Sequence, residues 1–213
     1  MWELVSKSGS LIWLIAPIFL CSFFSLAIII ERLFFYFSVK ANALAVLSQI
    51  LDLVRRNKIT EAVDICEKTP FYATNILKAG LTHYQEAKDV IKEAMENASL
   101  YEIPKLEKGL NFLSTIAHVS PLLGLLGTVV GLVKCFYVIE QKTVSVGLVN
   151  PSDLAGGIWI ALLTTVAGLC VAIPTYIMYN FFVHKVNLAT LESERAATEL
   201  LEVLPQGRYT DEV

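Results

Sequence analysis

The sequence predicts an all-α, polytopic membrane protein with three transmembrane helices and long helices that extend into the cytoplasm. Of its 213 residues, 55% are hydrophobic and 17% are charged, and the mean hydropathy is +0.58. Soluble globular chains are nearer 45–50% apolar and about 25% charged. These values exclude a disordered chain and a secreted disulfide scaffold. The net charge of −3 excludes a basic protein that recruits nucleic acid.

The three predicted spans are residues 10–30, 109–133 and 154–183. A helix needs ~20 mostly apolar residues to cross a bilayer core about 30 Å thick. The first run is too long for the apolar core of a signal peptide, and Glu31-Arg32 follows it in place of a small-residue cleavage site. We therefore expect it to remain as the first transmembrane helix.

Orientation is predicted from the Lys and Arg residues close to the membrane. The excess lies beside residues 31–108 and after the third span, which places both segments in the cytoplasm and the N-terminus outside. The residues on the cytoplasmic side are Arg32, Lys40, Lys92, Lys105, Lys108, Lys185 and Arg195, and those on the other side are Lys7, Lys134 and Lys142.

Four segments follow along the chain. They are 1–38 (N-terminus and first transmembrane helix), 39–108 (cytoplasmic helical region), 109–183 (second and third transmembrane helices, with an outer loop at about 140–153) and 184–213 (cytoplasmic C-terminal helix and tail).

Within these segments, local signals predict where individual helices begin and end. Thr60 is the predicted N-cap of a helix with acidic residues in its first turn, and Thr69-Pro70 closes that helix. A further helix is predicted from about Lys88 into the second span, with a possible kink at Pro104. After the third span an amphipathic helix continues until Pro205.

Motifs of enzymes are absent. The sequence contains no P-loop, G-x-S-x-G, H-E-x-x-H or G-x-G-x-x-G after a strand. Its four cysteines show no C-x-x-C spacing, so we expect no metal site, redox site or cofactor. His118 is the one ionisable residue inside the predicted spans. It is either an interfacial residue near a span end or part of a proton relay.

Small residues recur at helical spacing in the second and third spans. Such stripes let helix backbones approach closely in lipid. They indicate either hairpin packing within one chain or an oligomer whose inner wall is built from both stripes. The residues are Ser114, Ala117, Pro121, Gly124, Thr128, Gly131 and Cys135 in the second span, with Gly127 completing a G-x-x-x-G, and Gly157, Ala161, Thr164, Gly168, Ala172 and Thr175 in the third.

Thr128 and Thr165 each lie about 11 residues below the predicted outer loop. At 1.5 Å per residue this is roughly 16 Å, near the middle of the bilayer. Their hydroxyls could hold a water or a carboxyl group there, or could bond back to their own helices. Because the spans contain no Asp, Glu, Lys or Arg, either the chain moves no ion or a partner supplies the titratable group.

The chain contains the segments LEKGLNFLSTIAHVSPLLGLLGTVVGL (106–132) and GGIWIALLTTVAGLCVAIPTYIMYN (156–180). Both segments resemble the ExbB/TolQ/MotA family of ion-driven motor subunits. The three-span layout and the length are similar to ExbB or TolQ, and the compact chain is closer to ExbB. The resemblance implies a bacterial inner-membrane protein with a periplasmic N-terminus that is not an enzyme. It also implies a pentameric pore around an ExbD-like single-span partner that carries an intramembrane Asp, with energy passed to a TonB-like protein.

The resemblance also implies roles for individual residues. Thr128 matches the pore threonine of the second span and Thr165 that of the third, with Thr164 beside it in the ion pathway. Ile160 stands where many relatives have a glutamate, which leaves the direct relay role and the coupling ion open. The residues expected to shape the pore helices are Pro121, Pro174, Gly124, Gly127, Gly131 and Gly168.

Two other functions remain open at this stage. One is a TolQ-like motor subunit that maintains the cell envelope. The other is a membrane scaffold that conducts nothing and whose hairpin only packs helices against one another and against lipid. A channel that works without partners is disfavoured, because the spans lack charged residues.

Overall fold

The computed structural model describes residues 12–40, 43–146 and 151–204. Within these ranges the chain is helical and contains no β-strand. The helices are α1 (Ile12–Lys40), α2 (Ala43–Arg55), α3 (Ile59–Lys68), α4 (Tyr72–Thr82), α5 (Lys88–Glu107), α6 (Leu110–Val146) and α7 (Pro151–Val203).

Three stretches of these helices are long and apolar enough to cross a membrane. They are Ile15–Tyr36, Lys88–Gln141 and Leu154–Val203, and each contains a window of mean hydropathy 2.1. This confirms the predicted all-α fold with three transmembrane helices. Each stretch also leaves large apolar side chains exposed, such as Phe23, Leu122 and Trp159, as expected of surfaces that meet lipid or other membrane helices.

The chain divides into two compact units. The membrane unit comprises Met1–Glu31 and Gly109–Phe181, and the helical unit comprises Arg32–Lys108 and Phe182–Val213. In the helical unit, apolar residues of α2 to α5 and of the end of α7 form one core. Its most deeply buried members include Ile50, Val54, Ala62, Leu77, Leu81 and Leu200.

Helix α3 begins earlier than the sequence predicts. Its first residue is Ile59 and Lys58 precedes it, so Thr60 is the second residue of the helix and the prediction that it is the N-cap is wrong. Asn57 adopts a left-handed conformation (φ 59°), and the amide of Lys58 donates to the Leu53 carbonyl. This tight turn starts α3 early enough to bury Ile59 in the core. The predicted end at Thr69 is confirmed.

Helices α5 and α6 are separate. The predicted continuous helix is wrong, because α5 ends at Glu107 and α6 begins at Leu110. Gly109 has φ 81°, a left-handed conformation that is costly for residues with a Cβ. Pro104, the predicted kink, lies inside α5 and does not end it.

Side chains of α1 contact the C-terminal end of α5. The last carbonyls of a helix have no partner in the helix itself. Arg32 Nη1 donates to the carbonyl of Lys105 at 3.4 Å, and Tyr36 Oη donates to that of Leu106 at 3.2 Å. The Tyr36 ring also stacks on Phe182 of α7, with 5.6 Å between centroids. These bonds help to define where α5 stops.

Helix α7 runs without interruption from the third apolar stretch into the helical unit. This confirms the prediction that a helix continues after the third span. The helix ends at Val203, shortly before Pro205. The connector before α7 is shorter than the predicted loop at 140–153, since α6 continues to Val146 and α7 begins at Pro151. Residues 147–150 lie outside the described ranges.

Candidate functional site

Helices α6 and α7 pack through their glycines. A Cβ added to Gly131 would lie 2.9 Å from the Ala161 Cβ, and one added to Gly157 would lie 2.6 Å from the Cys135 Sγ. Both distances are shorter than real Cβ contacts, so the helices approach too closely for a larger residue. The two predicted stripes therefore face each other within one chain, which is the hairpin packing that the sequence left as one of two alternatives.

The tightest contact in the hairpin involves main chain. A Cβ on Gly168 would lie 2.5 Å from the backbone oxygen of Ser120 and 3.1 Å from the Gly124 Cα. The backbone cannot move aside as a flexible side chain can, so this position accepts glycine alone. Gly168 and Gly124 thus fix how closely α6 and α7 approach at this level.

Thr164 lies inside the hairpin. It is 1% exposed, and its Oγ1 donates to the carbonyl of Ala161 at 2.6 Å and lies 3.3 Å from that of Gly124. A Cβ on Gly127 would lie 2.4 Å from the same hydroxyl oxygen. Thr164 therefore occupies the interior between the two helices.

Thr165 and Thr128 are both partly exposed. Thr165 is partly buried, and its Oγ1 donates to the Gly124 carbonyl at 3.2 Å. Thr128 is partly exposed, and its Oγ1 donates back to the carbonyl of Leu125 at 2.6 Å. This is the local bond that the sequence left as an alternative. Each hydroxyl oxygen keeps lone pairs that can accept a further hydrogen bond.

Two prolines lie within the hairpin helices, Pro121 in α6 and Pro174 in α7. Neither ends its helix. Because proline has no N–H, the carbonyls four residues earlier, those of Ala117 and Cys170, lose their usual helical donor. Each proline therefore leaves one main-chain carbonyl of its helix without the N–H that would normally donate to it.

The hairpin carries no formal charge near the threonines. Residues 109–133 and 154–183 contain no Asp, Glu, Lys or Arg. In the part of the chain that the structure describes, no group of three His, Cys, Asp or Glu residues could hold a metal ion. The hairpin can thus offer hydroxyl and carbonyl oxygens to an ion or an acid, but it cannot itself supply a negative charge.

His118 lies on the hairpin and was not among the predicted site residues. Its Nδ1 is 2.7 Å from the carbonyl oxygen of Ser114. Its ring meets that of Tyr176 of α7 edge-on, with 6.0 Å between centroids and 88° between planes. The signal in the sequence was that His118 is the one ionisable residue in the spans, but sequence alone could not pair it with Tyr176.

Comparisons with known proteins agree with this architecture. Residues 69–195 match the model of the MotA/TolQ/ExbB proton channel family. The chain is 32% identical over 166 residues to a putative biopolymer transport protein, ExbB-like 3, of Synechocystis. This alignment covers 78% of each protein. It is also 30% identical over 178 residues to the biopolymer transport protein exbB1 of Vibrio cholerae. That alignment covers 81% of this chain and 74% of the relative.

A third relative is the biopolymer transport protein ExbB of Aquifex aeolicus, 37% identical over 118 residues, or 55% of this chain and 76% of that protein. The matched region includes about half of the helical unit and the glycine-packed hairpin. The chain is therefore an ExbB-like, multi-pass membrane protein that belongs to the MotA/TolQ/ExbB proton channel family.

Proposed function

We propose that this chain is a subunit of an ion-driven motor in a bacterial inner membrane, and that it couples proton flow to TonB-dependent transport across the outer membrane. Copies of the chain, five by analogy with the family, surround an ExbD-like single-span partner. The N-terminus is periplasmic, and residues 31–108 and the C-terminus are cytoplasmic. The family match and the excess of Lys and Arg beside those segments support this arrangement.

One observation carries the proposal. The hairpin offers two partly exposed threonine hydroxyls in a stretch without Asp, Glu, Lys or Arg. Thr165 donates to the carbonyl of Gly124, and Thr128 follows Gly124 by one helical turn. A proton path through a membrane usually contains an ionisable group. The partner's aspartate supplies that group, and the threonines hydrogen-bond to its carboxyl or to the water beside it.

The same arrangement explains how energy is gained. A charge that crosses the membrane is worth about 2.3 kcal/mol per 100 mV. A few protons per step therefore provide enough free energy to turn one set of helices against another. Ile160 is apolar, so the partner's aspartate is the acid at this level.

The first test is assembly. Native mass spectrometry of the chain co-expressed with its candidate single-span neighbour should give a 5:2 complex. A chain that stays monomeric or dimeric and never binds the neighbour would contradict the motor and favour a membrane scaffold.

The second test is the double variant Thr128→Val, Thr165→Val. Valine keeps the volume of threonine and removes the hydroxyl, so the complex should assemble while energy-dependent transport is lost. Thr115→Val is the matched control, because Thr115 is an exposed α6 threonine whose Oγ1 bonds its own helix at the Asn111 carbonyl. Full transport by the double variant would overturn the assignment of the threonines.

A further inference from the structure

A hydrogen bond to Ser114 of α6 defines which ring nitrogen of His118 carries the hydrogen. Its Nδ1 lies 2.7 Å from the carbonyl oxygen of Ser114. A carbonyl oxygen accepts hydrogen bonds and cannot donate one, so Nδ1 carries the hydrogen and donates. In the neutral ring Nε2 then has the lone pair. The imidazole is thus oriented to accept a proton at Nε2 without giving up the bond at Nδ1.

Tyr176 of α7 fixes the position of the ring. The two rings meet edge-on with 6.0 Å between centroids, and Tyr179 lies beside Tyr176 at 6.5 Å. His118 and Tyr176 are both exposed on the hairpin. Nε2 can therefore be reached by water or by a partner helix that lies against this surface.

Tyr176, the neighbour of His118, lies on the same side of α7 as Thr165. Tyr176 follows Thr165 by eleven residues, which is close to three full turns, so both point from the same face of α7. Thr128 is one turn after Gly124, whose carbonyl accepts the Thr165 hydrogen bond. Polar groups therefore occur at two levels of this face of α7, separated by roughly 16 Å along the helix.

We infer that His118 is a proton-accepting residue of the ion path, on the cytoplasmic side of the threonines. This inference rests on the proposed function. A proton that leaves the partner's carboxylic acid passes through water to Nε2 and gives an imidazolium and a carboxylate. The imidazolium then loses the Nε2 proton to cytoplasmic water, which restores the neutral ring with its Nδ1–H still bound to Ser114.

The surroundings favour this role over that of a merely interfacial histidine. The groups that face His118 are the phenols of Tyr176 and, beyond it, Tyr179. Asp, Glu, Lys and Arg are absent from 109–133 and 154–183, so no carboxylate in these two ranges competes for the proton. An imidazole ring can both accept and release a proton at Nε2, which suits a residue that passes protons to the cytoplasm.

The test is proton flux through the assembled complex in liposomes, measured as a function of pH on the cytoplasmic side. His118→Gln keeps a polar side chain that can donate to Ser114 but cannot titrate. It should lower the flux several-fold and weaken its dependence on the cytoplasmic pH. Tyr176→Leu, which removes the ring contact, should reduce the flux less and keep the pH dependence.

The matched control is His83→Gln. His83 makes the same kind of bond, from Nδ1 to the carbonyl four residues earlier (Ala79, 3.0 Å), but it belongs to the helical unit. This variant should conduct as the unchanged protein does. A His118→Gln complex with unaltered flux and pH profile would overturn the role of His118 and leave the motor intact. A 5:2 complex of the unchanged chain that carries no proton flux would overturn the proposed function and this inference with it.

Discussion

Thr165 of α7 donates a hydrogen bond to the carbonyl oxygen of Gly124 in α6, at 3.2 Å. The bond exists because Gly124 has no side chain, since a Cβ there would lie 3.0 Å from the Thr165 Cα. The absence of a side chain at Gly124 therefore both lets the helices approach and allows the Thr165 hydroxyl to reach the carbonyl. The close approach of the backbones at Gly124 sets the level at which the Thr165 hydroxyl meets α6.

Gly168→Ala should destabilise the hairpin. The new Cβ would meet the Ser120 backbone oxygen at 2.5 Å, and overpacking of this kind costs about 1–3 kcal/mol. Thermal unfolding in detergent should show a lower Tm. The control is Gly156→Ala, because a Cβ at Gly156 meets nothing within 4 Å. Equal Tm values for the two variants would contradict the packing described for Gly168.

Gly109→Ala should also lower stability, for a different reason. Gly109 has φ 81°, and a residue with a Cβ pays about 1–2 kcal/mol in that conformation. Gly109→Asn should cost less, since asparagine adopts left-handed conformations more readily. The comparison of the two unfolding free energies checks this prediction. If alanine were as well tolerated as asparagine, α5 and α6 would join as one helix, as the sequence alone predicted.

Tyr36→Phe should weaken the end of α5. The substitution keeps the ring that stacks on Phe182 and removes the hydroxyl that donates to the Leu106 carbonyl. A hydrogen bond of this kind contributes about 0.5–1.5 kcal/mol, and hydrogen exchange at the last amides of α5 should quicken. The control is Tyr101→Phe, since Tyr101 lies on the surface of the same helix and is 75% exposed. It should change neither the free energy of unfolding nor the exchange rate of these amides.

Cys66 should react slowly with alkylating reagents. The side chain is 1% exposed, and burial raises the pKa of its thiol from 9.0 to about 11. The reactive thiolate is therefore scarce at neutral pH, and labelling of a variant that keeps only this cysteine should accelerate as the pH rises toward 11. The same chain in denaturant provides the control, and it should react as an ordinary thiol.

The raised pKa of Cys66 has a consequence for stability. The neutral thiol is favoured in the folded state, so this contribution to the free energy of unfolding is complete below pH 9 and is lost as the pH rises to about 11. Cys66→Ala should flatten that part of the pH profile. An unchanged profile would show that the thiol is not buried in solution.

Much of the fold could be predicted because it depends on local pattern. Apolar run length defined the three spans, and the spacing of small residues identified the faces of α6 and α7 that pack. The predictions that were wrong concern single residues at helix ends. Thr60 is a favourable N-cap by type, but burial of Ile59 starts α3 two residues earlier. Gly109 interrupts the helix into the second span, where α1 side chains bind the last carbonyls of α5.

The sequence by itself determined that this is a three-span, ExbB-like membrane protein whose spans lack acidic and basic side chains other than His118. Length, hydropathy and charge are properties of the chain and need no knowledge of contacts. The tertiary structure decided which of two adjacent threonines is interior. Thr164 is enclosed by Gly127 and Ala161, while Thr165, about 100° further round the helix, stays partly exposed. It also paired His118 with Tyr176, since contacts between helices depend on their register, which no local pattern encodes.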